Sequence, residues 1–160
     1  MFPILFGILT QAHAKDLSEN TVGVGVNNWY HENIPALSVR TTLPLSSGSE
    51  SYLGQLHLEG LVGFSSDPST RTQAFLAGRV LTAVIVEDNL NVLAGTGAGF
   101  GWVNQTAVLQ FQPALEVQYF LFGLEYLSFE SGVGMDITLG SGENSIRTSG
   151  KLLGGFHYWF

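Results

Sequence analysis

From Thr21 to Phe160 the chain alternates with a period of two, and its charged residues gather on one of the two resulting faces. Successive side chains of an extended strand point to opposite sides, so this period means strands. Thr21 to Trp29 sets Val22, Val24 and Val26 against Gly23, Gly25 and Asn27. Pro35 to Leu45 sets Leu37, Val39, Leu43 and Leu45 against Ser38, Arg40 and Thr42. Tyr52 to Phe64 sets Tyr52, Leu56, Leu58, Val62 and Phe64 against Gln55, His57 and Glu59. Next, Ala74, Leu76, Val80, Val84 and Val86 oppose Gln73, Ala77 and Arg79. In Asn91 to Trp102, Val92, Ala94, Ala98, Phe100 and Trp102 face away from Gly95, Gly97, Gly99 and Gly101. Leu109, Phe111, Leu115, Val117, Tyr119 and Leu121 oppose Gln110, Gln112, Glu116 and Gln118. Leu127, Phe129, Val133, Met135, Ile137 and Leu139 oppose Ser128, Glu130, Asp136 and Thr138. The last ten residues, Lys151 to Phe160, set Leu152, Gly154, Phe156, Tyr158 and Phe160 against Lys151, Leu153, Gly155, His157 and Trp159. Turn-forming stretches separate these runs, among them Ser46–Glu50, Ser65–Thr70, Glu87–Asn89, Phe122–Gly123 and the polar Gly140–Ser149. The count is about eight, an even number that returns both ends to the same side, as a small closed barrel needs.

Which face meets the surroundings decides the class. Arg40, His57, Glu59, Arg79, Glu116, Glu130, Asp136 and Lys151 all sit on the polar face; Glu125 lies at a turn. An Arg or Lys facing the middle of a bilayer costs roughly 2–4 kcal/mol, so a lipid-facing wall excludes charge. A soluble ligand-binding barrel shows the reverse, with apolar residues filling the interior and polar ones meeting water. Charged residues make up only 12% of the chain, about half the roughly 25% of an ordinary soluble protein. Yet no apolar run after the amino terminus approaches the roughly 18 residues of a membrane-spanning helix. The expectation is an all-β, closed antiparallel eight-stranded transmembrane β-barrel, an up-and-down meander. Its narrow lumen would be filled by side chains, with Arg40, Arg79 and Lys151 pairing with Glu59, Glu116, Glu130 and Asp136. Unpaired, each buried charge would cost several kcal/mol. The four glycines from Gly95 to Gly101 would leave room for the long side chains opposite and let their strand curve.

The two ends carry separate signals. Residues 1–14 (MFPILFGILTQAHA) read as a secretory signal with Ala12-His13-Ala14 as the cleavage site, lacking the usual positively charged start. Residues 15–160 then form a single barrel domain. At the other end the chain stops on Phe160, and Gly155-Phe-His-Tyr158-Trp-Phe160 resembles the carboxy-terminal assembly signal of the small eight-stranded bacterial outer-membrane β-barrel family (the OmpA transmembrane domain and OmpX-like proteins). Gly155, Tyr158 and Phe160 carry the match; Leu153 stands where that signal usually has a polar residue. The resemblance covers the last strand by motif and Thr21 to Phe160 by pattern. It implies residence in the bacterial outer membrane, contact with outer-membrane lipids and recognition by the outer-membrane insertion machinery. It does not imply an activity, because function varies widely across such barrels.

Other motifs are weaker. A net charge of −7 argues against nucleic acid. With no cysteine there is neither a disulfide nor a thiolate metal site. His57 and His157 face inward beside Glu59 and Trp159 but lack a third ligand at a recognisable spacing, so they read as hydrogen-bonded lumen residues. The glycine row lacks G-x-G-x-x-G spacing and opens no helix. His31 and Glu32 share one loop, with serines in two others on the same side, where a hydrolytic site could sit; a solvated polar loop explains them better. Asn104-Gln-Thr106, a glycosylation sequon, reads as an ordinary loop. Trp29, Tyr52, Trp102, Tyr119, Tyr158 and Trp159 lie near strand ends; those pointing outward would form interfacial girdles, and Trp29 and Trp159 would cap the lumen. The expected function is that of a non-enzymatic, monomeric outer-membrane barrel without a cofactor, contributing to envelope structure or surface interaction. The alternatives are a narrow small-solute channel and an outer-leaflet lipid A-modifying enzyme.

Overall fold

Eight antiparallel strands close into a barrel, each hydrogen-bonded to the next in chain order and the eighth to the first. The computed structural model describes residues 21–28, 34–44, 55–65, 73–87, 89–103, 106–140 and 145–160; the side chains of residues 73, 103, 145 and 147–153 lie outside that description. The strands are β1 (Thr21–Asn27), β2 (Ala36–Pro44), β3 (Gln55–Ser65), β4 (Gln73–Glu87), β5 (Leu90–Val103), β6 (Thr106–Phe120), β7 (Leu127–Gly140) and β8 (Ser145–Trp159). Residues 1–14, Trp29, His31, Glu32, Tyr52 and the loop residues Asn104 and Gln105 fall outside the described residues.

The alternation becomes an inside and an outside. In β1 and β2 every second residue is buried: Thr21, Gly23, Gly25 and Asn27, then Ala36, Ser38, Arg40 and Thr42. The intervening Val22, Val24, Leu37 and Val39 are exposed, Leu37 by 64%. Strand tilt sets which inward residues share a height. Following the register from Gly23 through Arg40, Glu59, Arg79, Gly97 and Gln112, and on by way of Phe111 and Ile137, leads to Ile146 on β8. Gly23 itself pairs with Trp159. That offset is the stagger a closed barrel of tilted strands requires.

Several local expectations change. The polar stretch before β8 is not all connection, since Ser145, Ile146 and Arg147 pair with Thr138, Ile137 and Asp136. Polar composition does not prevent a strand whose backbone is paired. Over the last ten residues the register passes from Gly132–Lys151 to Glu130–Gly155, so β8 fits two extra residues into that step; from Phe156 to Phe160 the side chains alternate as expected. A second bulge lies in β4, where Ala83 pairs with Leu93 and Ile85 with Val92. Val84 is the extra residue. Beyond it Val86 pairs with Asn91, and Val84, Ile85 and Val86 are all exposed.

Two glycines of β5 serve a different need from the one expected. A Cβ on Gly95 would collide with the Val80 carbonyl on β4 and lie 2.7 Å from the Leu81 Cα, and one on Gly101 would lie 2.6 Å from the Ala74 carbonyl oxygen. They permit close approach of neighbouring backbone, not long side chains across the lumen. At the β6–β7 turn the Leu124 amide donates to the Leu121 carbonyl at 2.9 Å, and Gly123 takes φ 81°, a conformation that favours glycine. Pro113, which has no N–H, sits in β6 where the ladder to β7 passes from Phe111–Ile137 to Ala114–Gly134.

Strand direction defines two rims. Phe160, the β4–β5 turn and the β6–β7 turn lie at one, here the terminal rim; β1 ends and β2 begins at the other, the far rim. Inside, apolar clusters flank the middle. Towards the far rim Ile34, Ala36, Leu61, Phe75 and Ala77 pack together, with Ala114 against them. Towards the terminal rim lie Leu81, Ala83 and Leu93, and separately Phe120 with Trp159. The interior is therefore not polar throughout.

Candidate functional site

Between these apolar clusters the charged side chains meet. Arg40 on β2 spans the lumen: Nη2 lies 2.9 Å from Glu59 Oε2 on β3, while Nη1 lies 2.9 Å from Glu116 Oε1 on β6 and 2.8 Å from Glu130 Oε1 on β7. Arg79 on β4 places Nη1 2.8 Å from Glu59 Oε2 and Nη2 2.6 Å from Glu116 Oε2. All five side chains are fully buried. Arg40, Glu59 and Arg79 are direct neighbours across β2, β3 and β4. Glu116 and Glu130 reach them only because the strands tilt.

His157 on β8 joins the same cluster. Its Nδ1 is 2.7 Å from Glu130 Oε1 and its Nε2 is 2.6 Å from Ser38 Oγ. Ser38 donates its hydroxyl proton to Glu59 Oε1. Two arginines and an imidazole thus face three carboxyl groups. Asn27 on β1 donates to Glu59 Oε1 at 2.6 Å. Gln118 on β6 donates to Glu130 at 3.4 Å and accepts from Asn91 of β5 at 3.1 Å. Every strand contributes to this network.

A hydroxyl, an imidazole and a carboxylate in the order Ser38, His157, Glu130 have the contacts of a hydrolase triad. The chemistry does not follow. Ser38 gives its proton to Glu59 rather than to the imidazole, and Ser38, His157 and Glu130 are at most 1% exposed. The arrangement ties β2, β7 and β8 together across the seam where β8 meets β1.

The other residues expected in the lumen network go elsewhere. Asp136 is half-buried, stands opposite Arg147 in the β7–β8 register and accepts from Gln112 Nε2 at 2.6 Å, outside the Arg40–Arg79 cluster. His57 is fully buried and lies edge-on to Trp159, with ring centroids 6.3 Å apart; neither of its nitrogens has a hydrogen-bond partner among the described residues. Its expected hydrogen bonding is thus not what the structure shows. Its direct neighbours are Leu81, which has no side-chain polar atom, and Thr42, whose hydroxyl bonds that of Thr21 at 2.6 Å. Lys151 belongs to β8, but its side chain lies outside the described residues. Trp159 points inward, as a lumen cap would, and donates from Nε1 to Ser128 Oγ at 2.8 Å. Ser38, Asn27 and Gln118 also join the network; the sequence shows their inward parity, whereas their partners depend on stagger.

At the end of the last strand, Tyr158 and Phe160 face outward with ring centroids 5.2 Å apart. Gly155 sits at the seam, where a Cβ would lie 2.5 Å from the Val26 carbonyl oxygen and 2.5 Å from the Asn27 Cβ. Among the described residues no group of three His, Cys, Asp or Glu side chains could hold a metal ion. No family model matches the chain, and no curated protein or solved structure matches it either.

Proposed function

We propose that this chain is a non-enzymatic bacterial outer-membrane β-barrel protein, monomeric and with a filled lumen, that contributes to envelope structure or surface interaction. One observation carries the reading: the wall is inside out relative to a soluble barrel. Among residues with described side chains, Arg40, Arg79, Glu59, Glu116 and Glu130 are buried and Asp136 is half-buried, while the exposed acids Glu87 and Glu125 lie at the terminal rim. The outer wall between the rims presents valines, leucines and phenylalanines. In water this surface would far exceed the few hundred Å² of contiguous apolar patch a soluble monomer tolerates; in hydrocarbon it costs nothing, and closure leaves no unpaired strand edge in lipid.

Aromatic side chains at both ends add support. Near the terminal rim Tyr119 stacks on Phe129 at 5.6 Å and Tyr126 tilts against Tyr158 at 6.1 Å; near the far rim Phe100 and Trp102 meet edge to face at 4.8 Å. Such paired belts suit the two membrane–water boundaries. The test is fractionation of cells expressing the full chain, followed by reconstitution into lipid vesicles. The chain is expected in the outer-membrane fraction, soluble only with detergent. Recovery as a detergent-free soluble periplasmic protein would end the membrane reading.

A further inference from the structure

We infer that the β6–β7 turn is a lipid anchor, lying in the interfacial zone of the leaflet at the terminal rim, so that the waterline crosses this rim obliquely. The inference rests on the membrane reading above and adds where the boundary runs. Turns joining strands at a barrel rim are ordinarily polar, because they meet water. The β4–β5 turn obeys this rule, with Glu87, Asp88 and Asn89 in sequence and Glu87 exposed. Its neighbour does not. Leu121, Phe122 and Leu124 project from the β6–β7 turn, Phe122 with 79% of its surface exposed. The two turns stand side by side, since the Phe120 amide donates to the Asn89 carbonyl at 2.9 Å.

The apolar turn is continuous with the strand-end aromatics. The Trp159 amide donates to the Tyr126 carbonyl at 2.8 Å, and the rings run Tyr126 to Tyr158 to Phe160 with centroids 6.1 and 5.2 Å apart. A shallow recess of about 310 Å³ opens between residues 123–127 and Tyr158. Tyrosines, each with an apolar ring and a polar tip, favour the headgroup level. Glu125, the one charge in the turn, keeps the anchor out of the hydrocarbon and within that zone. A lipid interface therefore fits the surface better than a protein partner, because the ring series that starts at Tyr126 continues onto the outward face of β8 at Tyr158 and Phe160.

The chain contains no cysteine, so single labels are unambiguous. Nitroxides would be placed at Phe122→Cys, Leu124→Cys, Asn89→Cys and Leu115→Cys in the full chain, reconstituted in vesicles of phosphatidylcholine and phosphatidylglycerol. Collision with oxygen and with a water-soluble nickel chelate would then be compared. The labels at positions 122 and 124 are expected to meet the chelate several-fold less often than the label at 89, and oxygen more often. If both turn labels meet the chelate as freely as position 89 while position 115 stays shielded, the anchor is wrong and the turn faces water, where a soluble protein could dock. If position 115 is also open to the chelate, the membrane reading itself fails.

Discussion

Arg40 is the residue on which the interior depends, because one guanidinium serves three carboxylates on three strands: Glu59, Glu116 and Glu130. Removing one partner from a buried ion pair typically costs about 3–5 kcal/mol, since the remaining charges are left without compensation. Arg40→Ala should therefore lower the unfolding free energy of the lipid-reconstituted barrel in urea by an amount in that range, seen as a lower midpoint, and an unchanged midpoint would mean that Arg79 and His157 suffice alone. His57 is the contrasting case. Its nitrogens find no partner among the described residues, so His57→Leu removes a desolvation penalty of about 1–3 kcal/mol and should leave the midpoint unchanged or raise it. A marked fall would show that the imidazole has a role that its described contacts do not reveal. The sequence placed both residues on the inward face by parity, and parity was sufficient for that. It could not rank them: Arg40 reaches Glu116 across the barrel, a contact between residues 76 apart in the chain, and only the stagger decides that this carboxylate, and not Asp136, shares its height.

Strands were the most legible level, and their irregularities the least. A run such as Leu109 to Leu121 alternates so regularly that only one pairing face is possible, and β6 duly spans Thr106–Phe120. The bulges at Val84 and between Lys151 and Gly155 left no mark, because both fall in runs with no polar residue to betray an extra position: three consecutive apolar residues, Val84 to Val86, and a Leu-Leu-Gly-Gly run. The closing strand also bears the terminal aromatic. Phe160 is 69% exposed and its ring meets that of Tyr158, whereas its backbone amide bonds the Val22 carbonyl at 2.9 Å and would survive truncation of the side chain. Phe160→Ala should thus reduce the fraction of chain assembled in cells far more than it shifts the unfolding midpoint of the barrel once formed. Normal assembly with a lowered midpoint would reverse the assignment, making Phe160 a packing residue and not a tag.

At the scale of the whole barrel the question is whether anything passes through it. The charged network alone would not decide this, because ion pairs can exchange partners. The layers on either side make the stronger case. Towards the far rim, Leu61, Phe75 and Ala77 from β3 and β4 pack against Ile34 and Ala36, so ions leaving the network in that direction would have to enter an apolar constriction, which favours dewetting over conduction. Towards the terminal rim, Trp159 is fully buried beside Phe120 and pinned by its bond to Ser128. Planar-bilayer recording of the native barrel should accordingly show no stable ohmic conductance. Arg40→Ala sharpens the expectation, because it loosens the network while leaving the Leu61–Phe75–Ala77 layer in place. That variant should be less stable yet remain silent, whereas adding Phe75→Ala and Leu61→Ala should open a path if the apolar layer is the true barrier. Conductance from Arg40→Ala alone would transfer that role to the ion pairs. Steady conductance in the native protein would show that the lumen is a channel and displace the structural reading of the barrel.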